Sequence, residues 1–268
     1  MDALIFKKIE ENTDKIYKKI DDFIAKKSSI SFVFSSATTD WTTQISPPII
    51  LDNKDNYEIG LVNLETYYSF PNISASLQNN SFVYNNGTTT KTITIPDGSY
   101  DITDINNTIQ QGMQKNGDST DKNYFISLLV NNATLKSIVN ITKKGYTVDF
   151  TGSNSLRNLL GFNSVVLQEG YNISTNIVNI LNTNTIQINC NIISGSYNNG
   201  SQSTVLYSYF PSVAPGYKII QTPVNIVYLP LVGDHIFSIR IWITDQNGNI
   251  MDFRGEVQTL RLHLRRKL

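Results

Sequence analysis

The chain has 268 residues, of which 16% are charged and 40% hydrophobic, and its 22 basic side chains balance 22 acidic ones. An ordinary soluble domain carries about 25% charge, and here Asn, Thr and Ser take that place beside 14 Tyr and 12 Phe. This composition excludes wholesale disorder, because there is ample apolar and aromatic material for a core; it excludes a helical membrane span, because no apolar run approaches ~18 residues; and the single Cys190 excludes a disulfide framework.

The zero net charge is unevenly spread. Residues 1–27 carry seven Lys and six acids, and residues 254–268 carry four Arg and one Lys against one Glu. The stretch between them is mildly acidic. A basic end, Arg265-Arg266-Lys267, thus follows an acidic body. Such an end is either a solubilising tail or a contact for phosphate or an acidic neighbour. The opening Met1-Asp2-Ala3-Leu4-Ile5-Phe6-Lys7-Lys8 is too briefly apolar for a secretory leader. Without one, sequons such as Asn72-Ile73-Ser74 and Asn140-Ile141-Thr142 argue nothing in a chain this rich in Asn, Ser and Thr.

In chain order, residues 2–27 read as an amphipathic helix. Ile5, Ile9, Ile16, Ile20, Phe23 and Ile24 recur near helical spacing, and Glu11–Lys15, Asp14–Lys18 and Asp22–Lys26 are favourable i,i+4 pairs. The segment reads as an arm whose apolar face, through Ile9, Ile16, Ile20 and Phe23, docks on a partner; a packed helix or a membrane contact are the alternatives. From residue 28 the period changes to two. Ser31–Phe34 is a short strand. Tyr57–Phe70 is a long one, with Ile59, Leu61, Asn63 and Glu65 on one face and Gly60, Val62 and Leu64 breaking the alternation. Pro47-Pro48 and Pro71-Asn72 punctuate the chain before and after it. Phe82–Tyr84 and Lys91–Ile95 form a hairpin about Asn86-Gly87.

Residues 103–115 read as a helix capped by Asp101 or Thr103, with Ile105, Ile109 and Met113 along one side. Strands follow at Ile126–Val130, Leu135–Ile141 and Tyr146–Phe150, then a helical turn at Ser155–Leu160 that stops at Gly161. Residues of about 97–165 therefore form an α+β unit within a β chain. Further on, strands are expected at Thr185–Ile193, Val205–Phe210, Val224–Leu229 and Ile236–Thr244, and a last one where Leu260, Leu262 and Leu264 alternate with Arg261, His263 and Arg265. Many short strands with long Pro- and Gly-containing loops predict an all-β jelly-roll sandwich spanning 28–268, interrupted by the α+β insertion and preceded by the arm at 1–27.

Little here points to catalysis. The two histidines, His235 and His263, are not spaced as a metal-binding pair, and no nucleophile elbow, phosphate-binding loop or dinucleotide fingerprint occurs. Asp245, Asn247, Asn249 and Glu256 match four positions of a calcium loop, but Ile250 stands where the bend needs Gly, so a hairpin turn at Asn247-Gly248 is the better reading. Cys190 falls on an apolar strand face as a small buried hydrophobe. The expectation is a protein without catalytic residues, metal or cofactor. Tyr67, Tyr68, Tyr207 and Tyr209 sit in neutral or acidic surroundings and suit a core or a subunit interface better than a nucleic-acid groove.

Three stretches carry a family resemblance: Ile95-Pro96-Asp97-Gly98-Ser99-Tyr100-Asp101-Ile102; Asn131–Ser137 with Val148-Asp149-Phe150-Thr151 and Asn154–Phe162; and Phe237–Arg266 with Ile239-Arg240-Ile241-Trp242-Ile243-Thr244-Asp245-Gln246-Asn247-Gly248. Together, over roughly 57–268, they resemble the minor capsid (penton) protein of Polinton/Maverick elements and adintovirus-like viruses, which is similar to virophage pentons. The resemblance implies a jelly-roll base, often with an inserted domain, that forms homopentamers at the fivefold vertices of an icosahedral virion, beside a double jelly-roll major capsid protein. It brings no catalytic residue and no cofactor. It also suggests that the Arg265, Arg266 and Lys267 tail faces packaged DNA. A receptor- or glycan-binding jelly roll of a virus surface is the alternative, and a β-sandwich hydrolase the third reading.

Overall fold

In a computed structural model of the chain, the structure describes residues 7, 8, 10, 12–20, 29–120, 124–180 and 183–267. Residues 12–20 are helical. Three strands follow: β1 (Ile30–Ser36), β2 (Asp40–Ile50) and β3 (Tyr57–Tyr67). The chain then leaves this unit and builds a second compact one over Ser69–Asn184. That unit holds β4 (Ser81–Asn85), β5 (Thr90–Thr94), α1 (Ile102–Lys115), β6 (Ile126–Asn131), β7 (Lys136–Ile141), β8 (Thr147–Asp149), α2 (Arg157–Leu160), β9 (Val166–Leu167) and β10 (Gly170–Ile173). From Thr185 the chain rejoins the first unit. It adds β11 (Ile186–Cys190), β12 (Ser196–Asn198), β13 (Ser201–Ser203), β14 (Val205–Tyr209), β15 (Lys218–Gln221), β16 (Leu229–Pro230), β17 (His235–Thr244) and β18 (Gln258–Arg266).

The first unit is a sandwich whose two sheets run β1-β18-β3-β15 and β14-β11-β17-β2, with β16 also pairing on β3. Every pairing in it is antiparallel. Lettering its eight sheet-path strands B to I in chain order gives B-I-D-G and C-H-E-F, which is the jelly-roll order. The second unit is inserted between the third and fourth of these strands. The alternation that predicts the sandwich is visible in its core. Leu260, Leu262 and Leu264 of β18 are fully buried, set between Phe34 and Phe32 of β1 on one side and Leu64, Leu61 and Ile59 of β3 on the other. In the other sheet Ile186, Ile188 and Cys190 of β11 and Ile239, Ile241 and Ile243 of β17 are equally closed off. Burial of each such side chain is worth roughly 1.5–3 kcal/mol.

Three strand expectations need correction. On β3, Asn63 and Glu65 do not share the face of Ile59 and Leu61. The register against β18 slips between Arg261 and Leu262, so that Val62 is the extra residue of a bulge and Leu64 turns inward. The broken alternation in the sequence was that bulge. The Pro47-Pro48 pair lies inside β2 rather than ending a strand before it. The ladder to β17 is interrupted between Gln44 and Ile49, where neither proline has to donate a hydrogen bond. Val224–Leu229 is not a strand: only Leu229 pairs, with Ile59, and 224–228 is a strap laid on β3. Val224 is 98% exposed, so the apolar run that suggests a strand has no core to face. Gly60 admits the strap, since a Cβ there would lie 2.4 Å from Ile226 Cγ2 and 2.8 Å from the Val227 carbonyl oxygen.

The second unit has its own core between a sheet ordered β5-β4-β8-β9, a sheet ordered β10-β7-β6, and α1. It is wider than the 97–165 stretch, because Phe82 and Tyr84 of the β4–β5 hairpin are buried in that core, with Phe82 set edge-on to Phe150 at 6.2 Å. Helix α1 begins at Asp101, whose Oδ1 accepts from the Asp104 amide at 2.7 Å in a reciprocal capping box. Ile105, Ile109 and Met113 turn inward as their spacing predicts. The same helix closes an open edge: β6 is terminal in its sheet, and Asn106 Oδ1 accepts from the Leu128 amide at 2.8 Å while Gln110 Nε2 donates to the Ile126 carbonyl at 2.6 Å. Helix α2 stops at Gly161, which is left-handed (φ 77°). A Cβ there would sit 2.4 Å from the Asn176 carbonyl oxygen.

One buried charge ties α1 to the hairpin. Asp118 accepts from Tyr84 Oη at 2.6 Å, from Asn86 Nδ2 at 2.8 Å and from Lys91 Nζ at 2.7 Å. Burial alone would raise its carboxyl, but these hydrogen bonds and the Lys91 charge outweigh burial and hold it below the usual carboxylate range. A depressed carboxyl stabilises the fold above its ordinary value of 3.8, and that stability is lost as pH falls through the lower folded-state value. Asp118→Ala is expected to destabilise the second unit by about 2 kcal/mol, because the Tyr84 hydroxyl loses its acceptor and the Lys91 ammonium, left with the Asn116 carbonyl, loses its ion-pair partner. Urea unfolding followed through this unit's amide exchange checks it, and the acid limb of the wild-type stability curve should flatten in the variant.

Candidate assembly surfaces

The sequence-predicted arm shows its apolar face to solvent. Ile16 and Ile20 are 58% and 47% exposed, and Tyr17 joins them on the helix surface. Ile9 and Phe23 lie outside the described residues. Among the described residues of the arm, Ile16, Tyr17 and Ile20 form apolar surface that is not buried.

The C-terminal basic residues are tied down within the sandwich. The register of β18 on β3 sets Arg265 opposite Glu58. Arg265 Nε and Nη2 both lie 2.7 Å from Glu58 Oε1, and the guanidinium stacks 3.6 Å from the Tyr228 ring centroid. Arg266 Nη2 lies 3.3 Å from Asp52, and the Lys267 amide donates to the Asn56 carbonyl at 2.7 Å. A hydrogen bond from Tyr57 and the charge of Arg266 hold the Asp52 carboxyl below its usual range. The structure brings Arg265 and Arg266 together with acids some 200 residues earlier in the chain, and Lys267 with the Asn56 carbonyl. Only the strand register reveals those partners, and the sequence pattern does not state it.

The remaining chemistry-bearing residues are also structurally employed. Cys190 is fully buried, and burial pushes its thiol up to about 12. Asp245 serves its own turn, accepting at Oδ1 from the Asn247 and Asn249 amides and at Oδ2 from Asn249 Nδ2. Gly248 supplies the positive φ of that turn. His235 stacks on Phe237 at 5.9 Å, and His263 sits between Ser29 and Tyr228. Among the described residues, no group of three or more His, Cys, Asp or Glu is placed to hold a metal ion.

The sandwich surface stands out at β2. This strand is terminal in its sheet, has 11 residues, and none of them is buried. Its inward positions Trp41, Thr43 and Ile45 are only half-covered, and the Trp41 ring nitrogen has no hydrogen-bond partner among the described residues. At the strand's far end Ile50 is 70% exposed, cross-strand from His235, and Phe237 is 57% exposed on β17. At the near end Arg240 makes a bidentate pair with Asp40 (2.6 and 2.8 Å) and lies 4.7 Å over Trp242. The surface is therefore apolar at one end and ion-paired at the other.

At the opposite edge of the same sheet, a groove of about 400 Å³ runs along β14. Gln187, Asn198, Tyr197 and Tyr207 line it, with Ser196 and Ser208, and no charged residue does. Tyr207 and Tyr209 stack at 6.4 Å, but Tyr209 is buried, so of this pair Tyr207 alone reaches the groove. The second unit has an apolar face of its own: Ile173 and Leu129 flank Ile138 across the three-stranded sheet, with Tyr171 beside them, 72% exposed.

No family model matches the chain, and no curated protein matches it. Among solved structures, it is similar to the crystal structure of the selenomethionine-labelled mavirus penton protein, with 12% identity and a TM-score of 0.49 over 90% of this chain and 99% of that one.

If β2 and the exposed positions of the neighbouring β17 form a contact surface rather than part of the core, those exposed residues and the inward residues of β17 respond differently to substitution. Ile50→Ser and Phe237→Ser should change the stability of the isolated chain by no more than about 0.5 kcal/mol. Ile241→Ala on β17 should cost about 3 kcal/mol. Thermal unfolding of dilute protein separates the two; a large loss from Ile50→Ser would mean that β2 is already fully packed.

Proposed function

We propose that the chain is a structural minor capsid protein of the penton kind, which assembles as a homopentamer at the vertices of an icosahedral virion. The observation that carries the reading is β2: a long edge strand with half-covered inward residues and with Ile50 exposed at its end. Exposed apolar surface of this kind marks a contact surface, and a head-to-tail contact between unlike faces closes into a ring when its rotation allows. The jelly-roll order of the strands and the inserted second unit suit that role. Fold alone does not assign function, so the sequence resemblance over 57–268 and the β2 surface supply the rest. In this reading the double jelly-roll major capsid protein surrounds the ring. The arm, through Ile9, Ile16, Ile20 and Phe23, braces a neighbouring subunit. Arg265 and Arg266 already have acidic partners, so any contact of the tail with packaged DNA falls chiefly to the Lys267 side chain.

The glycan-binding alternative is favoured by one observation, the uncharged groove at β14. Its tyrosines and amides suit a neutral polyhydroxylated ligand. It predicts a stable trimer and saturable binding of neutral oligosaccharides lost in Tyr197→Ala.

Light scattering on the purified chain, alone and mixed with its major capsid protein, decides between them. The expected species is five copies of the 30.1 kDa chain, and Ile50→Glu with Phe237→Glu should return it to monomer with the fold intact. A stable trimer, or a pentamer indifferent to both substitutions, would overturn the assignment of this surface. Deleting residues 1–27 should weaken the ring if the arm braces it.

A further inference from the structure

The strap over Gly60 ends at a residue with an unusual set of neighbours. Gly60 and His263 are cross-strand partners on β3 and β18. Because Gly60 has no side chain, the strap drops onto the sheet there, and the Tyr228 ring comes within 3.3 Å of the position a Cβ would take. Tyr228 then reaches His263 edge-on at 5.8 Å, and its hydroxyl lies 2.8 Å from Nδ1. The other ring nitrogen, Nε2, lies 2.5 Å from Ser29 Oγ. Ser29 immediately precedes β1 and is the root of the N-terminal arm. One imidazole thus holds two otherwise separate segments, the strap and the arm root, to the face of one sheet.

We propose that His263 is an acid-sensitive latch, closed when its ring is neutral, which fastens the strap and the arm root to the sandwich and releases both when the ring is protonated.

The charges around it set the sign. On its own strand Arg265 stacks on the same Tyr228, and Arg261 lies two residues away on the same face. On β3 the facing acid is Glu58, whose Oε1 is already taken up by Arg265. On the strap the facing group is the Tyr228 hydroxyl, and at the arm root it is the uncharged Ser29, with Lys26 and Lys27 just before it in sequence. No unpaired acid among these named groups is available to balance an imidazolium. Burial and the Arg265 charge accordingly hold the ring below its ordinary value of 6.5. A base with a depressed folded-state value favours the closed form above that ordinary value. The advantage is lost as pH falls below it, when the open form takes up the proton first. A neutral ring donates from one nitrogen and accepts at the other, so one of the two hydroxyls donates and one accepts. An imidazolium donates from both, so the hydroxyl that was donating has to turn.

The proposal stands apart from the penton reading, since the latch is within one chain and its test does not need a ring. Amide hydrogen exchange on the full-length protein, corrected for intrinsic rates, is compared at about pH 7.5 and about pH 5.5, on either side of the histidine range. The expected result is a loss of protection at Leu229, where the strap joins β3, and at the start of β1 on acidification, with the rest of β18 unchanged. His263→Gln, uncharged and still able to donate and accept, should abolish that loss; His235→Gln should leave it intact. Tyr228→Phe, which removes only the hydroxyl, should make the strap exchange at neutral pH as the wild type does in acid, while Ser29→Ala should do so for the arm root. Unchanged protection in the wild type, an acid response that survives His263→Gln, or one that vanishes with His235→Gln would each overturn the latch.

Discussion

The sandwich depends on where its last strand goes. β18 lies in the middle of its sheet, between β1 and β3, and its three inward leucines are fully buried. Neither neighbour pairs with the other, so this sheet is not joined until the end of the chain has arrived. The pairing is non-local by construction: Ile30 meets Leu264 and Ile59 meets the same residue from the other side. Non-local closure of this kind is slow and costs loop entropy before contacts repay it. The inserted unit eases that problem. It occupies much of the intervening chain with a core of its own, so the closure spans a folded body rather than a long free loop.

The same register that builds the core also spends the polar surface. Once Leu264 is set against Ile59, Arg265 necessarily falls beside Glu58, and His263 beside Gly60. The tail that reads as a free basic patch in the sequence is therefore mostly an internal fastening. Surface pairs of this kind add little stability when isolated. Here their role is positional: they fix the guanidinium over Tyr228 and, through it, the course of the strap.

What was legible in the sequence was whatever a period alone could state. The alternation in β18, the capped α1 with Ile105, Ile109 and Met113, and the glycine stop at Gly161 follow from local rules and stand in the structure as read, whereas in β17 the alternation holds from Ile239 onward and fails at Phe237, which is exposed where Ile236 is buried. What failed depended on a partner. The bulge at Val62 looked like noise because only β18 defines it. β2 was missed because two prolines argue against a strand unless the facing ladder is broken just there. The strap reads as a strand in the sequence because apolar residues at 224–229 look the same whether they face a core or solvent. Of the candidate surfaces, the arm's stripe was readable. The open character of β2 was not, since exposure of an edge strand is a property of the finished sheet.

The antiparallel pairing of β1 with β18 has a geometric corollary. The residue that opens β1, Ile30, is set opposite Leu264 near the close of β18, and such partners lie only about 5 Å apart. Both ends of the folded body therefore leave from one corner of one sheet. A linker of a few residues would join them, and new termini could be opened in an exposed loop, giving a permuted chain with the same sandwich. By the same token, a label or cargo joined directly before Ile30 in place of the arm, or after β18, emerges from one shared exit, so the sandwich has a tethered side and a free side without any further element.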